Sequence, residues 1–178
     1  ITVQSAGRDI VFSTYVATGA NASARIRGSD GRFEYRSISV RAYNSSHQSI
    51  SHGTVTTLTL DSERWDTNGM HSTSSNTGRL TAGTTGLYSI CANTRWAINN
   101  SGLRITRIVH NGSTVIAEVR VSPVPGESLI VAPCTQYELQ AGDYVTIDVY
   151  QESGGGSLNI EADPQYSPEL SMTYSGGL

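Results

Sequence analysis

Four oxygen-bearing side chains fall close together at Asp61, Glu63, Asp66 and Asn68, with Gly69 next to them to permit a tight turn. Closely spaced oxygen donors are what calcium takes, so one expectation is a calcium site on Asp61, Glu63 and Asp66. The stretch lacks the alternating ligand spacing of a helix–loop–helix calcium site. Asp and Asn also serve as local turn acceptors, and acids that only brace their own loop are the competing expectation. Trp65, Met70 and His71 lie in the same stretch. With Asp66 and Asn68 they make a candidate ligand-binding set in which the indole offers a stacking face to a sugar ring. The plainer alternative has Trp65 capping the end of a core.

Catalytic patterns are missing. His47, His52, His71 and His110 coexist with many Ser and Asp residues, but no Gly-x-Ser-x-Gly elbow occurs. Glycosidase chemistry needs two converging carboxylates, and nothing singles out a pair among the 15 acids. Gly154–Gly156 lacks the Gly-Lys-Ser/Thr ending of a phosphate loop. The expectation is no catalytic residues, no enzyme and no cofactor beyond calcium. The two cysteines, Cys91 and Cys134, have neither metal-finger spacing nor the number for a disulfide scaffold. Each projects to the face of its strand opposite the larger apolar residues. They form a disulfide if their strands are neighbours, and otherwise small buried thiols.

The elements that hold these residues are short strands. Of 178 residues, 37% are hydrophobic and 15% charged, with 18 glycines and 5 prolines. Good helix formers are scarce. The net charge of -3, with 12 basic residues that are all Arg, supplies no field for nucleic acid or anionic membrane. No apolar run spans a bilayer. The chain opens at Ile1 without an initiator Met, as a processed product or a fragment would.

Residues 1–36 alternate weakly (Ile10, Phe12; Ala24, Ile26; Phe33, Tyr35) around the Ser29-Asp30-Gly31 turn. They hold too little apolar surface for a core of their own. They read as the end of a three-chain fibre shaft, or as a leader hairpin of the main domain. From residue 37 the strands become regular: about 37–43, 54–60, 87–98, 104–110, 114–121, 129–139, 144–151, 158–162 and 170–174, with a polar loop at 61–78. Tyr88, Ile90, Ala92, Thr94 and Trp96 share one face of a central strand. Asn111-Gly112 marks a two-residue hairpin. Without a bulge, Ile108 faces Val115, and the other face carries Leu103, Ile105, Arg107, Val109, Ile116 and Glu118. Such a mixed face reads as a subunit interface, unless a bulge resets the register.

Asp61–His71, Gly78–Thr81 and Gly86–Ile90, followed by Asn111-Gly112, Ala141–Val145 and Leu170–Gly176, resemble the pattern of phage and bacterial jelly-roll domains. Those domains are similar to the globular head of the first complement component and to tumour necrosis factor. Two departures stand out: His110 replaces an apolar residue, and no collagen-like repeat precedes the head. The resemblance implies a ten-stranded antiparallel jelly roll at 37–178, assembled as a homotrimer, with recognition in surface loops and no catalytic centre. Tyr137, Tyr144, Tyr150, Tyr166 and Tyr174 would pack in the sandwich, along the trimer axis or as stacking platforms. With a shaft-like 1–36, the chain resembles the distal tip of an extracellular phage tail fibre that binds a host glycan or protein receptor. A structural virion decoration and a secreted carbohydrate-binding domain are the alternatives.

Overall fold

The computed structural model describes residues 10–16, 19–27, 29–35, 37–163 and 165–177, and among them finds sixteen β-strands and no helix. The strands fall into two compact units, one ending at Ser37 and one beginning at Ile38. The first is an antiparallel meander of β1 (Ile10–Val16), β2 (Gly19–Ile26) and β3 (Phe33–Tyr35). The expected turn closes its second hairpin. Gly31 takes a φ of 69°, where a side chain is strained, and the Asp30 carboxylate accepts the Arg32 amide at 3.1 Å. Phe33 and Tyr35 remain 63% and 72% exposed.

The second unit runs β4 (Ser39–Tyr43), β5 (Gln48–Ile50), β6 (Thr56–Thr57), β7 (Ser62–Asp66), β8 (Arg79–Thr81) and β9 (Gly86–Trp96). It continues with β10 (Arg104–His110), β11 (Thr114–Val121), β12 (Leu129–Val131), β13 (Cys134–Leu139), β14 (Tyr144–Gln151), β15 (Leu158–Ile160) and β16 (Glu169–Gly176). One sheet has the order β11-β10-β14-β6, with β8 also on β14. The larger sheet has the order β5-β15-β9-β16-β4-β7, with β12 and β13 also on β9. Every pairing is antiparallel.

The core lies between these sheets, and period-two alternation selects it. Tyr88, Ile90, Ala92 and Trp96 of β9 face Ile108 of β10 and Val145, Ile147 and Val149 of β14, all buried in one cluster. Thr94 and Thr106 meet at 2.8 Å between the sheets, and Thr94 donates onward to the Val131 carbonyl at 3.1 Å. That chain satisfies two hydroxyls that would otherwise cost free energy when buried.

Four expectations need correction. Among its described residues the head carries thirteen strand segments, β4 to β16, rather than ten, because short ladder pieces stand alone. The expected strand 129–139 is two pieces, split where Pro133 brings no N–H to the ladder. The expected loop 61–78 begins as a strand, since β7 pairs along β4 with a bulge. The central hairpin is bulged between Ile108 and Val109, so Ile108 faces Ala117 and Val109 faces Val115. Ile116 is the extra residue and packs against the core rather than sharing the outer face. Ile105 and Val109 on that outer face are already only 3% and 4% exposed within one chain, beside the Arg107–Glu118–Arg120 ion pairs. Of the expected interface residues Leu103, Ile105, Arg107, Val109, Ile116 and Glu118, Ile105 and Val109 are therefore covered within one chain, while Val115, opposite Val109, stays 48% exposed.

The cysteines settle in the bonded alternative. β13 lies beside β9 with Cys134 directly opposite Cys91, their Cα atoms 4.2 Å apart, and the sulfurs are joined. The bridge sits on the outer face of the larger sheet, where both residues are exposed, and not in the core.

Candidate functional site

Between β7 and β8 the chain makes a polar loop, residues 67–78, held by the residues that invited a metal reading. Asp61 accepts from the Ser45 amide at 2.9 Å and hydroxyl at 2.7 Å. Burial pushes its carboxyl up, but these bonds together hold it below the usual range. Asp66 accepts from the amides of Asn68 at 3.0 Å and His71 at 2.8 Å. Glu63 lies 2.9 Å from Nδ1 of His71, whose Nε2 lies 3.1 Å from the Thr77 carbonyl. Each acid therefore serves its own local bond. Asp61, Glu63 and Asp66 do not converge, and the described residues hold no group of three or more His, Cys, Asp and Glu fit for a metal ion. The bracing alternative is the one the geometry adopts.

The candidate set Trp65, Asp66, Asn68, Met70 and His71 is split by the fold. Met70 is buried in the core and the His71 side chain is fully enclosed, a brace for the loop. Trp65 caps nothing. It stands 45% exposed on the outer face of the larger sheet, opposite Arg41, with its indole N–H donating to Ser39 Oγ at 3.1 Å. Beside it Arg64 stacks over Tyr43 at 4.2 Å, and Arg41 and Arg64 both reach the buried Glu169.

The braced loop shapes two adjoining clefts. One, of about 270 Å³, is lined by residues 69–72 with Ser75, Asn76, Arg79 and Thr81. The other, of about 420 Å³, runs over Thr57–Thr59 to Tyr144 and Thr146. Asn76 and Arg79 border both. The turn between them is tight. Asn76 takes a φ of 50°, and a Cβ on Gly78 would stand 2.7 Å from the Leu58 carbonyl oxygen, so only glycine passes there.

The Arg79 guanidinium lies over the Tyr144 ring, 4.9 Å from its centroid. Tyr144 is fixed in turn by the hairpin tip: its amide donates to Asn111 Oδ1 at 2.9 Å, and Asn111 Nδ2 donates to Asp143 at 2.8 Å. The Asn111 amide, followed by the Gln140 N–H and His110, holds the Asp143 carboxyl below its usual range against the opposing effect of burial. His110 Nε2 stands 3.2 Å from Asp143, close enough for attraction but not aligned for a hydrogen bond.

The head superposes on solved structures from animals. Murine APRIL matches with a TM-score of 0.60 at 10% identity, covering 78% of this chain and 99% of that one. The globular domain of zebrafish complement 1qA gives 0.57 at 13%, covering 79% and 99%. Eiger TNF from S. frugiperda gives 0.53 at 13%, covering 80% and 94%. The head is a jelly roll of the tumour necrosis factor and complement-head type. At these identities the likeness is one of fold. No family model matches the chain, and no curated protein matches it by sequence.

Of the residues that line the clefts, Met70, His71 and Tyr144 stood among the candidates, while Asn76 and Arg79 did not. One signal was available. Residues 67–117 contain no Asp or Glu, so an Arg within them must find a distant acid, a carbonyl or nothing.

Proposed function

We propose that this chain is the non-enzymatic receptor-binding head of a homotrimeric phage tail fibre, extracellular on the virion tail, attaching it to the host surface. The observation that carries the reading is a jelly roll of tumour necrosis factor and complement-head type with open, hydroxyl-lined clefts beside its 67–78 loop. The three-stranded unit ahead of the head adds support as the end of a shaft. Its Phe33 and Tyr35 stand bare, and further chains would cover them.

Trimerisation moves to the outer face of the larger sheet. Trp65, Ile130 and Tyr166 are exposed there, Ile130 opposite Arg95 and Tyr166 beneath its guanidinium at 4.3 Å. Apolar and aromatic side chains mixed with arginine are the usual make-up of an interface centre. Three heads on one stalk multiply weak single-site affinity. A decorating or purely trimerising module has less support, since such a module needs no cleft.

Attachment to cells tests the reading. Fluorescent head is expected to stain host bacteria saturably and to block adsorption of the parent phage. Absence of staining across hosts that the phage infects refutes a receptor-binding role.

A further inference from the structure

Arg79 is the odd member of the head's arginines. Arg41 and Arg64 share Glu169, Arg95 pairs with Glu161 and Asp163, and Arg107 and Arg120 share Glu118. Arg104 donates from both terminal nitrogens to oxygens of residues 99–103, leaving only its Nε without a partner. Among the described residues of the head, only the Arg79 guanidinium has neither a carboxylate nor a hydrogen-bond acceptor. Its one side-chain contact of this kind is the Tyr144 ring. Stacking engages the flat face of a guanidinium and leaves the N–H groups at its rim free. The ring therefore holds the cation still, with its donors uncommitted, between two clefts.

The walls narrow the ligand. The Asn76 amide, the Thr77 and Thr81 hydroxyls and the Tyr144 hydroxyl make no side-chain hydrogen bond within the head, and they line the same two clefts. A single fork-shaped cation matches one carboxylate through two parallel bonds. It falls short of a phosphorylated polyanion, which calls for several cations, and the nearby His71 is committed to Glu63 and Thr77. Neutral donors and acceptors around one fixed cation suit a ring bearing many hydroxyls and one carboxylate.

We infer that the Arg79 clefts bind an acidic saccharide, with the sugar carboxylate on the Arg79 guanidinium and the sugar hydroxyls on Asn76, Thr77 and Thr81. The inference rests on the receptor-binding reading and names the chemical class of the receptor. His71 and Glu63 act as positioning residues that hold the loop against Thr77.

Binding is measured by titrating the purified full chain with galacturonate and glucuronate oligosaccharides, and with the neutral galactose and glucose oligosaccharides of equal length. The native head is expected to bind at least one uronate series and to prefer it over its neutral counterpart tenfold or more. Arg79→Gln removes the charge and the fork while leaving a polar side chain, and should lose that affinity tenfold or more at an unchanged melting temperature. Arg79→Lys keeps the charge but not the fork and should recover only part of it. Equal binding of acidic and neutral sugars, no binding of either uronate, or full affinity in a folded Arg79→Gln head would each overturn the inference. Cell staining separates the two claims. A head that stains host cells equally well with and without Arg79 leaves the receptor-binding reading intact and removes the anion site.

Discussion

Cys91→Ser combined with Cys134→Ser is expected to lower the unfolding free energy by about 4 kcal/mol. The bridge closes a loop with a sequence separation of 43, and loop closure on that scale removes about 4 kcal/mol of conformational entropy from the unfolded chain. Its sulfurs sit on the outer face of the larger sheet, so the core between the sheets is intact in the variant. The loss thus acts on the unfolded ensemble, which regains freedom across β9 to β13. Guanidinium denaturation of the double variant, and of the native protein with and without reductant, measures it. The midpoint should fall sharply, while the circular dichroism of the folded state stays the same. A midpoint insensitive to both treatments would mean that the bridge contributes nothing to stability.

Arg104→Met should cost about 3 kcal/mol, a loss on the order of one or two hydrogen bonds to a charged group. Arg104 is 1% exposed and points into the core end of β10 with no acid beside it. Burial pushes its guanidinium pKa down, since the charge has lost its water. What replaces the water is a set of oxygens on the 99–103 turn: Asn99 Oδ1 at 2.8 Å, the Ser101 carbonyl at 2.9 Å and the Leu103 carbonyl at 3.0 Å. The Trp96 ring lies 5.9 Å away. Methionine fills similar space but donates nothing, so the Ser101 carbonyl loses its donor, while Asn99 Oδ1 keeps the Ser101 amide and the Leu103 carbonyl keeps the Glu152 amide. Chemical denaturation reads the loss, and hydrogen exchange should show the amides of the 99–103 turn opening first. Equal stability of Arg104→Met and the native protein would show that water replaces the side chain at no cost.

These two sites mark where sequence reading succeeds and where it stops. The alternation Tyr88, Ile90, Ala92, Thr94, Trp96 names a core strand because period two leaves one solution. The same periodicity sends Cys91 and Cys134 to the outer face. It does not pair their strands, since pairing is decided by topology across many residues. The bulge at Ile108 and Val109 stood as one of two alternatives for a related reason. Asn111-Gly112 announces a turn, but the extra residue on β11 follows from packing Ile116 inward, a choice made by the core. Arg104 shared an inward face with Thr106 and Ile108, yet nothing in its neighbours in sequence announces full burial, because its partners are main-chain carbonyls. The candidate site was half legible. The loop with Asp61, Glu63, Asp66 and His71 was recognised as special, while its acids proved to be braces. Arg79, the cation beside the clefts, stands just past the end of that loop.

Sedimentation of the intact chain tests most directly the claim that three heads complete one another's surfaces. The account predicts a species near three times 19.0 kDa. It also predicts that Ile130→Asp, on the larger sheet, shifts the protein toward single chains, whereas Val109→Asp on the hairpin face does not free protomers from a folded trimer. A well-folded native protomer sedimenting at 19.0 kDa, at concentrations where the head binds cells, would contradict it.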